Sequence, residues 1–271
     1  MLDGGVSIST QTTTPTSTDR ARQVVVTLAE IFCVVGTLVG VGVIGTRVEE
    51  SSGGALAADA TLLAPLGPAF SIWSVVYAGL AAYTVWQWLP SATTDPRARA
   101  TGWLAAASMA LNAGWLLVTQ QGWLWASVGV IAALVVVLGL LVQRLADLGA
   151  PASTVQRVVV DGTFGLYLGW VCVATCANVT ATLVADGVDP SAGIAELIAV
   201  GVLVVVVAVA AIVLARTGRR WTFAAAAAWG LFWIAVGRLT DQPESLVVGV
   251  AAALAAVAVL GLTARAWPVT A

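Results

Sequence analysis

The side chains of this chain best placed for chemistry are aromatic and amide groups. Phe70, Trp73 and Tyr77 are spaced i, i+3, i+7, so a helix sets them on one face. Asn112 and Trp115 recur at i, i+3 on a second segment. Tyr167, Trp170, Ala174 and Asn178 run at 0, 3, 7, 11 on a third. Such a set can stack on a flat apolar surface while indole N–H, phenol and amide groups meet a polar edge. The same residues could instead pack helix on helix, with Asn and Tyr bonding between helices. Periodicity leaves both readings open.

Acid–base chemistry has little to work with. The chain has no histidine, which removes the commonest metal ligand and the commonest general base. No two carboxylates pair at one depth, so no catalytic residue, metal ligand or cofactor is assigned. Cys172 and Cys176, at i, i+4, read with Cys33 as small apolar helix residues, since adjacent turns rarely suit a disulfide. Glu30, Asp161, Glu196 and Arg238 fall inside or near the ends of apolar segments, where ionisable groups are functional candidates. Glu30 and Asp161 share one side, which allows a common proton path. Pairing with a terminal Arg is the simpler reading.

The elements that must position these residues are membrane helices. Apolar residues make up 59% of the 271 and charged residues 10%, with mean hydropathy +0.95. A soluble domain carries about 25% charged residues and could not hide this much apolar surface. Eight unbroken apolar runs approach the roughly 20 residues that cross a bilayer: 24–45, 69–89, 100–119, 122–142, 158–184, 192–215, 221–239 and 246–264. Unbroken rather than alternating runs mean helices, so the expected fold is an all-α polytopic membrane protein.

Arginine placement gives the orientation. With the N-terminus inside, ten arginines fall on inner ends and loops, and Arg47 and Arg238 alone fall outside. Both termini are then cytoplasmic, and losing one helix would destroy the pattern. Every basic residue is Arg and none is Lys, a bias expected of a GC-rich bacterial genome. The net charge of −2, without a basic patch, argues against nucleic acid. Residues 1–23, rich in Ser and Thr, read as a disordered cytoplasmic tail and not as a signal peptide. The acidic outer loop Thr46–Pro68 leads straight into the aromatic segment, as a ligand-facing loop or a plain linker. Trp86, Trp88, Trp103, Trp123, Trp125, Trp221 and Trp267 fit an interfacial belt. Trp73, Trp115, Trp170, Trp229 and Trp233 lie deeper.

Three blocks carry a family resemblance: Gly67-Pro68-Ala69-Phe70-Ser71-Ile72-Trp73-Ser74-Val75-Val76-Tyr77, Leu111-Asn112-Ala113-Gly114-Trp115, and Tyr167-Leu168-Gly169-Trp170 through Asn178. In this order they resemble the tryptophan-rich sensory proteins, related to the translocator protein (TspO/MBR) family. The resemblance implies a five-helix bundle over residues 24–185, with residues 186–271 adding three membrane helices. It implies a pocket for a porphyrin or other hydrophobic ligand, a sensor or carrier role in the plasma membrane, and homodimers as in many members. Phe70, Trp73, Tyr77, Asn112, Trp115, Tyr167, Trp170 and Asn178 are the ligand-binding positions it would supply. Two positions depart from the five-helix members: Pro65-Leu66-Gly67-Pro68 replaces a Pro-Pro-Gly-Trp opening, and Thr163 replaces a frequent Pro. A secondary transporter of a small solute is the rival reading. It would call for internal repeats and charges near mid-membrane, and neither is visible in the sequence.

Overall fold

The computed structural model describes residues 14–40 and 42–266. Eight helical spans in it are long and apolar enough to cross a membrane, the second counted from Gly67 and the fifth from Gln156; their α-helices are α1 Ser17–Gly40, α2 Ile72–Trp86, α3 Pro96–Gln120, α4 Leu124–Asp147, α5 Thr163–Ala185, α6 Ala192–Thr217, α7 Trp221–Thr240 and α8 Leu246–Arg265. The chain is therefore an all-α, multi-pass membrane protein. A 3-10 turn, Gly67–Ser71, leads into α2, and a wider π turn, Gln156–Gly162, leads into α5.

Local chemistry sets several boundaries. Pro96 occupies the first turn of α3, and the Asp95 carboxylate accepts from the N–H groups of Arg97 and Ala98. Both satisfy orphan groups of a helix start. Ser245 caps α8 by accepting from the Val248 N–H at 3.1 Å. Gly218, at φ +73, ends α6, a backbone turn that glycine makes without Cβ strain.

Part of the tail expected over residues 1–23 is helix. Residues 1–13 lie outside the described residues, and α1 already begins at Ser17. Thr16 and Asp19 form a reciprocal cap: the Asp19 carboxylate accepts from the Thr16 N–H and hydroxyl, and the Asp19 N–H donates to Thr16 Oγ1. Asp19, Arg22 and Gln23 are then buried. Polar composition suggests disorder, but these polar groups find partners inside the fold.

The helices pack in the order α1, α3, α4, α5, α7, α8, α6, with α2 against α1 and α5. Lipid is as apolar as a leucine side chain, so close backbone approach matters more here than the hydrophobic effect. Gly36 of α1 faces Ala113 of α3, where a Cβ would stand 2.9 Å from the Ala113 Cα. Gly165 and Gly169 of α5 face Thr222, Phe223 and Ala226 of α7.

The first turns of α1, α3 and α7 and the π turn before α5 meet in one charged network. Asp19 pairs with Arg22 at 3.0 Å and with Arg99 at 2.7 Å. Asp161 pairs with Arg97 at 2.7 Å and Arg220 at 2.9 Å, and Arg97 also donates to the Gly149 carbonyl. Asp161 thus follows the simpler reading, pairing with arginines. Gln23 donates to the Gln87 carbonyl at 2.6 Å and Arg22 to the Thr93 carbonyl at 2.7 Å. Arg219 reaches the Ala264 and Ala266 carbonyls at the end of α8. Of the seven tryptophans expected in a belt, Trp88, Trp103, Trp123, Trp125 and Trp221 are exposed, while Trp86 is buried. Trp86 lies beside Tyr83, ring centroids 5.7 Å apart, inside the bundle. Trp267 lies outside the described residues.

Candidate functional site

The aromatic face of α2 looks inward. Trp73 stacks on Tyr77, centroids 5.4 Å apart and planes 16° apart. It meets Tyr167 and Trp170 of α5 edge-on, at 5.9 and 6.1 Å. Phe70, in the turn before α2, meets Trp170 edge-on at 5.8 Å. These are the favoured aromatic geometries, and they join the first and third sequence blocks.

Three adjoining cavities open among these rings. The largest, about 370 Å³, lies between Thr37 and Gly40 of α1, Phe70, Trp73 and Tyr77, and Trp115 of α3, with Arg47 and Glu49 also in its lining. One of about 50 Å³ lies between Phe70, Trp115, Trp170 and the loop before α2. The third, about 20 Å³, sits among Phe70, Trp73, Asn112, Trp115 and Trp170. Shared walls make the three one irregular site.

The site is unevenly satisfied. Asn112 Nδ2 donates to the Tyr77 hydroxyl at 3.5 Å, at the outer limit of a hydrogen bond. Asn112 Oδ1, Trp115 Nε1 and Trp170 Nε1 are buried with no protein partner among the described residues. Buried polar atoms are nearly always paired, so a donor and an acceptor function are left available within one aromatic enclosure.

Two expected site residues play different parts. Tyr167 is fully buried behind Trp73, its hydroxyl donating to the Ser108 carbonyl at 3.4 Å. Asn178 borders the 50 Å³ cavity, but its amide is turned to Ser127 of α4: Nδ2 donates at 3.0 Å, and the serine hydroxyl lies 3.3 Å from Oδ1. That pair joins α4 to α5, so the helix-packing reading describes the Asn178 amide. The other six, Phe70, Trp73, Tyr77, Asn112, Trp115 and Trp170, line the cavities.

Sequence reasoning named Arg47, Pro65 and Leu66 in the strap over residues 42–66, but not Val48, Leu56 and Ala64, which with Pro65 wall the 50 Å³ cavity. The signal was there in Leu56, Leu62 and Leu63, apolar residues in a loop otherwise read as acidic. Nor did it find what holds the strap. Arg238, 1% exposed near the end of α7, donates to the carbonyls of Thr61 at 2.7 Å, Ala58 at 3.1 Å and Gln242 at 3.2 Å. The Leu66 N–H donates to the Trp233 carbonyl at 3.4 Å, and Trp229 Nε1 to the Ala69 carbonyl at 2.9 Å. On the other side, Ser52 reaches the Thr119 carbonyl and Gln120 the Thr46 carbonyl. Trp229 and Trp233, deep but unassigned in the sequence, flank the strap's attachment.

A family model described as TSPO-like protein matches residues 23–264. The chain belongs to that family. The match runs through all eight helices of this TSPO-like protein, those beyond α5 included. No curated protein and no solved structure matches the chain. At a coarse level, the family points to small-molecule binding or sensing in a membrane.

Proposed function

We propose that this TSPO-like protein binds a flat, hydrophobic small molecule of the tetrapyrrole type and acts as its sensor or carrier. The buried, unpartnered Asn112 Oδ1, Trp115 Nε1 and Trp170 Nε1 inside an aromatic enclosure carry this reading. The rings supply stacking area, the indole N–H groups suit ring or carboxyl acceptors, and the amide oxygen suits a pyrrole-type N–H. A main cavity of about 370 Å³ falls within the usual size range for small-molecule sites. In this reading residues 24–185 form the binding core and 186–271 brace it. The arginine-rich end, with both termini, faces the cytoplasm of a bacterial plasma membrane.

The test is a titration of the purified full-length protein with protoporphyrin IX, followed by porphyrin absorbance, beside Trp73→Ala and Trp170→Ala. Saturable binding weakened at least tenfold in both variants is expected, since each removes a large stacking surface. Unchanged affinity in folded variants would refute the site.

A further inference from the structure

The cavity has an acidic group beneath it that ligand stacking does not use. Glu30 lies on the inner face of α1, 7% exposed, and its Oε2 is buried with no protein partner among the described residues. Glu30, Cys33 and Thr37 are spaced i, i+3, i+7 on that face, and Thr37 lines the largest cavity. In the other direction, Gln23 is bonded to the Gln87 carbonyl at the charged network. At the helical rise per residue, Glu30 stands about 10 Å from Gln23 and about 10 Å from Thr37. It is a midway station between the arginine-rich end and the cavity floor.

Among the described residues no ion pair or hydrogen bond engages its carboxylate. On α1 the nearest titratable neighbour is Cys33, with Asp19 and Arg22 paired to each other two turns below. From α2 it is within electrostatic reach of Tyr77, and from α5 of Tyr167. The stretch of α3 from Ala100 to Gln120 carries no titratable side chain, and neither α2 nor α5 carries a charged one. The arginines at the start of α3 are engaged by Asp161 and Asp19. An unpaired carboxylate in this setting is costly, and a proton is the one cation that can reach it without new ligands.

We propose that Glu30 is a proton-binding site coupled to the cavity, so that filling the cavity is accompanied by proton uptake from the arginine-rich side and emptying it by release. The proposal rests on the ligand-binding reading above. A ligand expels water from the space around Thr37 and Tyr77, lowering the local dielectric above Glu30 and making its ionised form costlier. Occupancy and protonation therefore favour each other, and by linkage each strengthens the other equally. The step is a simple transfer: a proton from the bulk adds to a carboxylate oxygen of Glu30 and returns on release.

The test uses the full-length protein in lipid nanodiscs with protoporphyrin IX as probe. Proton uptake on binding is read with a pH-indicator dye in weak buffer, and affinity is measured against pH. Wild type should take up protons on binding, with affinity varying by up to about tenfold per pH unit across the linked range. Glu30→Gln should still bind, with its extra uptake gone and a flatter profile, while Asp189→Asn, an exposed carboxylate, should match wild type. The carboxyl infrared band is a second readout. A band that changes when the probe binds should vanish in Glu30→Gln and shift in Glu30→Asp, which also serves if the Gln variant fails to fold. Binding with unaltered uptake in Glu30→Gln, or a band untouched by either substitution, overturns the proposal. Absence of binding in wild type overturns the ligand-binding reading and the coupling with it. That result is distinguishable from binding without linkage.

Discussion

Replacing Arg238 with Met tests whether α7 holds the strap over the cavity. Met keeps much of the side-chain volume and removes every donor. Arg238 makes two hydrogen bonds to strap carbonyls, Thr61 and Ala58, and a third to Gln242. Bonds from a charged donor contribute about 1.5–3 kcal/mol each, and the low end applies because freed carbonyls at a helix end regain water. Two strap bonds then stabilise the closed strap by about 3 kcal/mol, or about 100-fold in its opening equilibrium. Hydrogen exchange of strap amides follows that equilibrium when closing is fast. Useful reporters are the N–H groups of Ala57, Ala60 and Ala64, bonded within the strap to Gly54, Ala57 and Thr61. In Arg238→Met these amides should exchange about 100-fold faster, while α3 and α5 amides stay protected. Association and dissociation of protoporphyrin IX should both accelerate. A rise below about threefold in a folded variant would refute the latch and leave Arg238 a buried helix-end cation only.

Other substitutions separate packing from binding. Asn178→Ala breaks the Ser127 pair and should lower stability by about 1–2 kcal/mol with little loss of porphyrin affinity. Asn112→Ala should do the reverse. Paired melting and binding curves decide, and parallel losses in both variants would refute the division. Asp161→Asn leaves Arg97 and Arg220 without their shared anion and should cost about 3 kcal/mol, seen as a lower Tm in detergent. An unchanged Tm would show the pairs add nothing. Gly36→Ala forces a Cβ to 2.9 Å from the Ala113 backbone and should destabilise the α1–α3 contact by about 1–3 kcal/mol, measured the same way. A wild-type Tm would mean the helices move apart freely.

Helix number is legible in this sequence because lipid imposes it: a run must be long and apolar enough to cross the bilayer. Spacing alone also places Phe70, Trp73 and Tyr77 on one face. What spacing cannot give is the neighbour. Asn178 could have met a ligand or any facing helix, and its partner Ser127 is 51 residues away in the chain. Trp86 has the depth of a belt residue, but the turn of α2 on which it sits faces Tyr83 and the interior. The start of α1 is hidden for another reason. Ser and Thr richness suggests disorder, whereas Thr16 and Asp19 form a cap whose value depends on Arg22 and Arg99 arriving from within the fold.

The helices beyond α5 help build the site. A strap folded over the end of a bundle buries backbone carbonyls, and buried carbonyls need donors from the fold. Within α1 to α5 the strap is met at Gly40 of α1 and at Thr119 and Gln120 of α3. The other side is met from α7, by Arg238 as donor and the Trp233 carbonyl as acceptor, while Trp229 donates to Ala69 in the turn just after the strap. α7 can stand there because Gly165 and Gly169 give α5 a face without side chains, which lets its backbone come close. α8 packs on the far side of α7, with Gly249 against Leu239 and the Ala235 carbonyl, and Arg238 itself is 1% exposed. A dry guanidinium makes stronger bonds than a wet one. The anchoring of the strap therefore depends on α7 as well as on α1 and α3.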